Sequence, residues 1–193
     1  MENPYRYILE IRPRNCTLAQ ISLQGALINA MASGNKNISI KKLCSDAFVA
    51  RSTFYAYYDD IDGILLDIED HLIDTLAHQN EEMMDRAVSA TEDLHFYSKT
   101  LEFVTAHRDA FYTLLVAVPD VRFIEKWKDA VKYHFWERLF RNRCPENSEL
   151  ILELVASSAI AAFTYWMKNP ETIQVEGIYS IISGVLRAFD YNY

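Results

Sequence analysis

Three features predict an all-α chain, with an N-terminal three-helix head and a C-terminal helical bundle making about nine helices. Apolar residues recur at spacings of three and four along most of the chain, the period of one helix face. Only five Gly and five Pro punctuate 193 residues, too few for many short strands and turns. Residues 38 to 66, ISIKKLCSDAFVARSTFYAYYDDIDGILL from Ile38, compress two short helices and a tight turn into the length of one ordinary element. Half of the residues are apolar, ample for a core at this length.

The elements follow in order. Residues 1 to 15 hold Pro4 and Pro13 and read as a poorly ordered polar tail, whose Arg6, Arg12 and Arg14 are placed to reach phosphate. From Thr17, Leu23, Leu27 and Met31 recur every four residues with Ile21 and Ile28 beside them, until Ser33-Gly34-Asn35 ends the helix with C-cap chemistry. This helix braces the next two. Ser39 is a capping hydroxyl, and Ile40, Leu43, Cys44 and Ala47 form the stripe of a short second helix. Phe48-Val49-Ala50 breaks the period, and Arg51 to Tyr58 resumes it with Phe54 and Tyr58 inward and Arg51, Ser52, Tyr55 and Tyr57 outward. Two short helices joined by such a turn are the helix-turn-helix arrangement that sets a recognition helix in the major groove.

Asp59, Asp60 and Asp62 then place acids at a helix start, where the dipole favours them, and Ile64, Leu65, Ile68, Leu72 and Leu76 make one long apolar face. On the other face Asp67, His71, Asp74 and His78 have a spacing compatible with metal ligation, but without Cys or a second motif they read as a solvated face. Leu94, Tyr97, Leu101 and Val104 mark a fifth helix, and Phe111, Leu114, Leu115 and Val118 a sixth that Pro119 ends. A seventh runs from Arg122 to Arg141 with Ile124, Trp127, Val131, Phe135 and Leu139 inward. The aromatics Phe96, Tyr97, Phe103, Phe111, Tyr112, Trp127, Tyr133, Phe135, Trp136 and Phe140 concentrate here, and in a helical bundle such residues more often fill a core than line a pocket. The last two helices span Ser148 to Met167 and Glu171 to Phe189, the first rich in the small residues Ala156, Ser157, Ser158, Ala159, Ala161 and Ala162, with Trp166 as a large anchor.

The net charge of −8 is unevenly spread. Residues 1 to 60 carry seven basic against five acidic residues, a net of +2, and the remainder carries twelve against twenty-two, a net of −10. That is the sign expected of a nucleic-acid-reading head on an acidic body. Cys16, Cys44 and Cys144 are odd in number and far apart, giving neither a disulfide framework nor a CxxC metal site, and a reducing cytoplasm fits. No run of eighteen apolar residues and no signal-peptide layout is present. A Gly-rich phosphate loop, G-x-S-x-G and HExxH are all missing, and His107 and His134 have no nucleophile setting, so an enzyme is disfavoured.

The string from Ile38 to Leu65 resembles the signature of TetR-type transcriptional regulators, in which a small-residue turn precedes a Thr-Phe-Tyr or Thr-Leu-Tyr core and a Lys-Asp-Lys-like entry into a long fourth helix. HRDAFYTLL, FIEKWKDAV and AAFTYWMKNPET are similar to the ligand-binding and dimerisation half of one low-GC Gram-positive branch of that family. The resemblance implies a head over residues 1–62 and a ligand-binding, dimerising domain over 63–193. It implies a ligand-responsive regulator, most simply a repressor, that binds palindromic double-stranded DNA as a cytoplasmic homodimer, answers to a small-molecule effector and needs no cofactor. Arg51 and Ser52 would face base edges, while Ser39, Lys41, Thr53, Tyr55 and Tyr57 would hold the backbone and set register. Ala159, Ala162 and Trp166 would form a two-fold interface. Effector-binding residues are not assigned. Three positions depart from the pattern: Phe48 stands where the family has a turn Gly, and Asp59 and Ile61 stand where the branch has Lys. The alternative reading is a paralogue that has lost DNA and acts as a protein-interaction partner or co-regulator.

Overall fold

A computed structural model describes residues 2–11, 16–35, 37–84, 99–140 and 146–172, together with residues 177, 180 and 184, and all side chains in these ranges except those of 79–84, 138 and 139. Among the described residues every regular element is helical. A short 3-10 helix, Arg6–Glu10, is followed by α1 (Leu18–Ala32), α2 (Ile40–Asp46), α3 (Arg51–Tyr57), the long α4 (Ile61–Met84) and α5 (99–106). Next come α6 (Arg108–Tyr112), which widens into a π turn at Thr113–Ala117, α7 (Val121–Phe135) with a π turn at Trp136–Phe140, and α8 (Ser148–Lys168). Residues 171 and 172 are a turn, so the final helix does not begin at Glu171 as expected, while residues 177, 180 and 184 are helical. Leu94, Phe96, Tyr97, Cys144 and Phe189 lie outside the described residues.

Local chemistry sets the helix ends. Thr17 and Gln20 form a reciprocal capping box at α1, the Gln20 side chain accepting from the Thr17 N–H at 3.0 Å. Ser39 caps α2 by accepting from the Lys42 N–H at 3.3 Å, Asp60 accepts from the Gly63 N–H at 2.9 Å at the start of α4, and Asp120 accepts from the Phe123 N–H at 3.1 Å at α7. Two Schellman motifs end the first two helices. At α1, Asn35 N–H donates to Ala30 O and Gly34 N–H to Met31 O, with Gly34 at φ 73°. At α2, Val49 N–H donates to Cys44 O and Phe48 N–H to Ser45 O, and the left-handed position, φ 54°, is taken by Phe48.

One apolar core runs from Leu23, Leu27 and Phe54 through Ile64, Ile68, Leu72 and Leu76 of α4 to Phe111, Phe123, Trp127, Phe163 and Trp166. Its centre is a chain of aromatic contacts, with ring centroids of Phe111 and Trp127 4.9 Å apart and those of Trp127 and Phe163 5.2 Å apart, at tilted angles that suit ring quadrupoles. Phe103, Tyr133, Phe135, Trp136 and Phe140 are also buried, so the aromatic density fills core, and Tyr112 is exposed. A second cluster of Phe135, Trp136, Phe140, Ile151, Leu152 and Val155 joins α7 to α8. By length and composition α8 would cross a membrane, but half of its apolar window is buried in this packing.

The structure corrects four expectations. The N-terminal segment is not a loose tail: Ile8 is fully buried against α4 and α7, Asn3 donates to Tyr133 O at 3.0 Å and to Glu137 at 2.9 Å, and the Tyr7 hydroxyl bonds Asp129. Arg6 is therefore held on the body, and Arg12 and Arg14 lie outside the described residues. In α7 Trp127 and Phe135 are buried as expected and Ile124 and Val131 pack half-buried against the core, but Phe123, Ala130, Lys132, Tyr133 and His134 are buried too, because the helix packs on α4 and α8 at once; the Leu139 side chain lies outside the described residues. The Asp67/His71/Asp74/His78 face of α4 is not simply solvated. Asp74 is buried 3.0 Å from His78, with burial raising its pKa, and Asp67 is half-buried beside Tyr58, whose phenol pKa it raises. Finally, the small residues of α8 are divided between its faces: Ala156, Ala159 and the anchor Trp166 are buried, Arg108 lies over the Trp166 ring, Ala162 is half-buried at the edge of the core, and Ala161 is exposed. The large apolar residues that α8 leaves exposed are Leu150, Leu154 and Tyr165.

Candidate nucleic-acid interface

The head is a three-helix unit in which α1 packs on both α2 and α3. Phe54 is fully buried and fixes the rotation of α3, its ring 5.2 Å from that of Tyr55 in an edge contact and 6.0 Å from that of Tyr58. With Phe54 and Tyr58 committed to the core, the helix turns Arg51, Ser52, Tyr55 and Tyr57 to solvent, while Thr53 is half-buried. Tyr58 ties three helices together. It receives a weak hydrogen bond from the Gln20 amide of α1 at 3.4 Å and lies beside Asp67 of α4, and burial first, then that carboxylate, pushes its phenol up to about 12.

Ser39 and Lys41 are exposed on α2, so all seven residues expected to meet DNA belong to the two-helix unit, and six of them are exposed. Ser39 uses an oxygen lone pair on the Lys42 amide but keeps its hydroxyl proton for an outside acceptor. Lys42, beside Lys41, is bonded to Asp46 one turn on, which neutralises part of the positive charge of α2. At the far end of α3, Asp59 and Asp60 are exposed and Asp60 is occupied as a cap. Ile61 is half-buried against the core.

The start of α4 is anchored to the body by a charged cluster that spacing alone does not reveal. Arg122 of α7 donates to Asp62 at 3.0 and 3.2 Å and to Glu69 at 2.8 and 3.0 Å, and Lys126 donates to Glu69 at 3.0 Å and to Asp70 at 2.6 Å. Glu69 is completely buried. The Arg122 bonds hold the Asp62 carboxyl below its usual range, and those from Asp62 and Glu69 raise the guanidinium pKa further. Just after α3, α4 is thus clamped to α7 through Arg122.

A buried brace, a capped short helix, a tight turn and an outward-facing second helix make this an all-α fold of the helix-turn-helix class. The chain is similar in structure to a tetR-family transcriptional regulator from Streptomyces coelicolor, with a TM-score of 0.56 and 16% identity over 90% of this chain and 85% of that one. This likeness shows a shared TetR-like fold. No protein-family model and no curated protein matches the chain.

Proposed function

We propose that the chain is a DNA-binding transcriptional regulator, with a head over residues 1–62 and a dimerising, effector-binding body over residues 63–193. The observation that carries this is the orientation of α3: Phe54 is fixed in the core, while Arg51, Ser52, Tyr55 and Tyr57 around it are all exposed. In this reading Arg51 reads guanine O6 and N7, Ser52 a neighbouring base edge, and Ser39, Lys41, Thr53, Tyr55 and Tyr57 hold phosphates. Two copies would present their recognition helices about 34 Å apart to a palindrome. The exposed Leu150, Leu154 and Tyr165, with Ala161 between them, recur along one side of α8 and supply the two-fold contact in place of Ala159 and Trp166. An apolar or amphipathic effector entering the aromatic body would act by moving α4 against α7, shifting the spacing of the heads and releasing DNA, the behaviour of a cytoplasmic repressor.

The second reading, a regulator's relative that binds protein instead of DNA, is favoured by one feature: Asp59 and Asp60 lie exposed at the end of α3 and Asp46 neutralises Lys42, so the head offers phosphate little net charge. Selection from random double-stranded DNA at low salt separates the two. A regulator enriches a palindrome, and Arg51→Ala relaxes its base preference. The Asp59→Lys, Ile61→Lys variant binds that palindrome more tightly, with a slope of log affinity against log salt steeper by about 0.9 for each additional phosphate neutralised. If neither the native chain nor this variant enriches any sequence, the DNA reading fails.

A further inference from the structure

We propose that Phe48, in the turn that leads into α3, is a specificity residue that packs on a thymine methyl beside the site read by Arg51; this rests on the DNA-binding reading of the head. The observation is the pairing of backbone strain with complete exposure. Phe48 occupies the left-handed position of a Schellman motif at φ 54°, and its side chain is 97% exposed, so no packing within the chain offsets the strain. The same motif at the end of α1 uses Gly34 at φ 73°. An aromatic kept where a glycine serves the fold better is backbone strain held at a functional position. Val49 packs half-buried against the core and Ala50 is the uncapped residue before α3, so the exposed ring stands three residues ahead of Arg51, next to the N-terminal end of the helix, the end whose residues meet base edges in helix-turn-helix docking. An uncharged ring there contributes contact to the one apolar group on a major-groove base edge, the thymine C5 methyl. Such a contact complements a head with few unpaired cations and does not depend on salt.

The test uses the full chain and duplexes that it selects from random DNA. Each thymine of the selected site is replaced in turn by deoxyuridine, which removes the methyl alone. The expected result is one flanking position per half-site at which deoxyuridine weakens native binding about fourfold, the worth of one buried methyl. Phe48→Gly, which relieves strain and so keeps the fold, shows the same loss on the thymine duplex. It no longer distinguishes thymine from deoxyuridine, and its salt slope is unchanged. Equal binding by Phe48→Gly and the native chain overturns the assignment and leaves the ring for a protein contact. A loss that is the same on both duplexes also overturns it, because the ring then touches something other than the methyl. If the native chain enriches no sequence, both this assignment and the DNA reading fall.

Discussion

Removing Arg122 should destabilise the protein far more than its half-exposed position implies. Its partner Glu69 is completely buried and accepts from both Nε and Nη2 of Arg122, so Arg122→Met leaves a buried carboxylate facing Lys126 alone. Breaking a buried pair from one side costs about 3–5 kcal/mol, and the surviving Lys126 contact argues for the lower end, near 3. The Asp62 arm adds little, because that carboxylate is mostly exposed and such pairs contribute about 0–1 kcal/mol. In a domain of this size each kcal/mol moves the melting temperature by about 2–4 °C, so Arg122→Met should melt roughly 6–12 °C lower while Asp62→Asn moves by no more than a few degrees. The double variant Glu69→Leu, Arg122→Met removes the orphaned charge, leaves Lys126 paired with Asp70 at 2.6 Å, and should recover to within about 1 kcal/mol of the native chain. Urea titrations of the four proteins, compared at equal m value, read these differences directly. A single Arg122→Met costing under about 1 kcal/mol, or a double variant no more stable than the single, would refute the reasoning that an orphaned Glu69 charge causes most of the loss.

Two further outcomes follow from local geometry. Phe48→Gly should raise the melting temperature, since removing Cβ from a residue that stays left-handed relieves about 1–2 kcal/mol while glycine's extra unfolded-state entropy offsets about 0.5–1; Gly34→Ala should lower it, although nothing lies within 4 Å of the added methyl. A fall for Phe48→Gly in a thermal melt would contradict the strain argument. Glu153 should give a specific acid sensitivity. Burial works against its charge, but hydrogen bonds from Lys128, Lys132 and Ser157 bring it from the usual 4.5 to about 2. A carboxylate lowered by folding contributes stability that is present above about 4.5 and is lost as the pH falls towards 2. Glu153→Gln should therefore be less stable than the native chain at pH 7, with the gap closing across that window. A gap that stays constant with pH would assign the loss to something other than this carboxylate.

The head was largely legible because its signals are local. Ser39 as a cap, the stop at Ser33-Gly34-Asn35 and the inward pair Phe54 and Tyr58 each depend on neighbours within about one turn, whereas Phe48 stands out only against the turn Gly of the resembled family. Of the residues expected to face DNA, only Thr53 is half-buried, and that too follows from its place beside Phe54. The N-terminal segment failed for the opposite reason. Five residues of 3-10 helix carry no usable period, and what orders them is Asn3 reaching Tyr133 and Ile8 entering a gap between α4 and α7, contacts made across more than a hundred positions in the case of Asn3. Glu69 gives no signal for the same reason, since on α4 it counts as polar and its burial depends on Arg122 and Lys126 arriving from α7.

Helix α8 shows why periodicity has a limit that better counting does not remove. Its bounds were expected within a residue, and both of its faces are visible in the pattern: Ala156, Ala159, Phe163 and Trp166 on one side, Leu150, Leu154, Ala161 and Tyr165 on the other. Both are apolar enough to be buried, and the sequence of α8 contains nothing that ranks them. The choice is made by α7, which offers Trp127 to stack on Phe163 and sets Lys128 and Lys132 where they meet Glu153, pinning the rotation of α8 by charge as well as by packing. Once the small-residue side is used within the chain, the surface left for a second copy is the one with Leu154 and Tyr165. Leu154→Glu is therefore the substitution that should split a dimer in sedimentation without unfolding the monomer, whereas Ala159→Glu should unfold it. A dimer that survives Leu154→Glu would place the two-fold contact elsewhere.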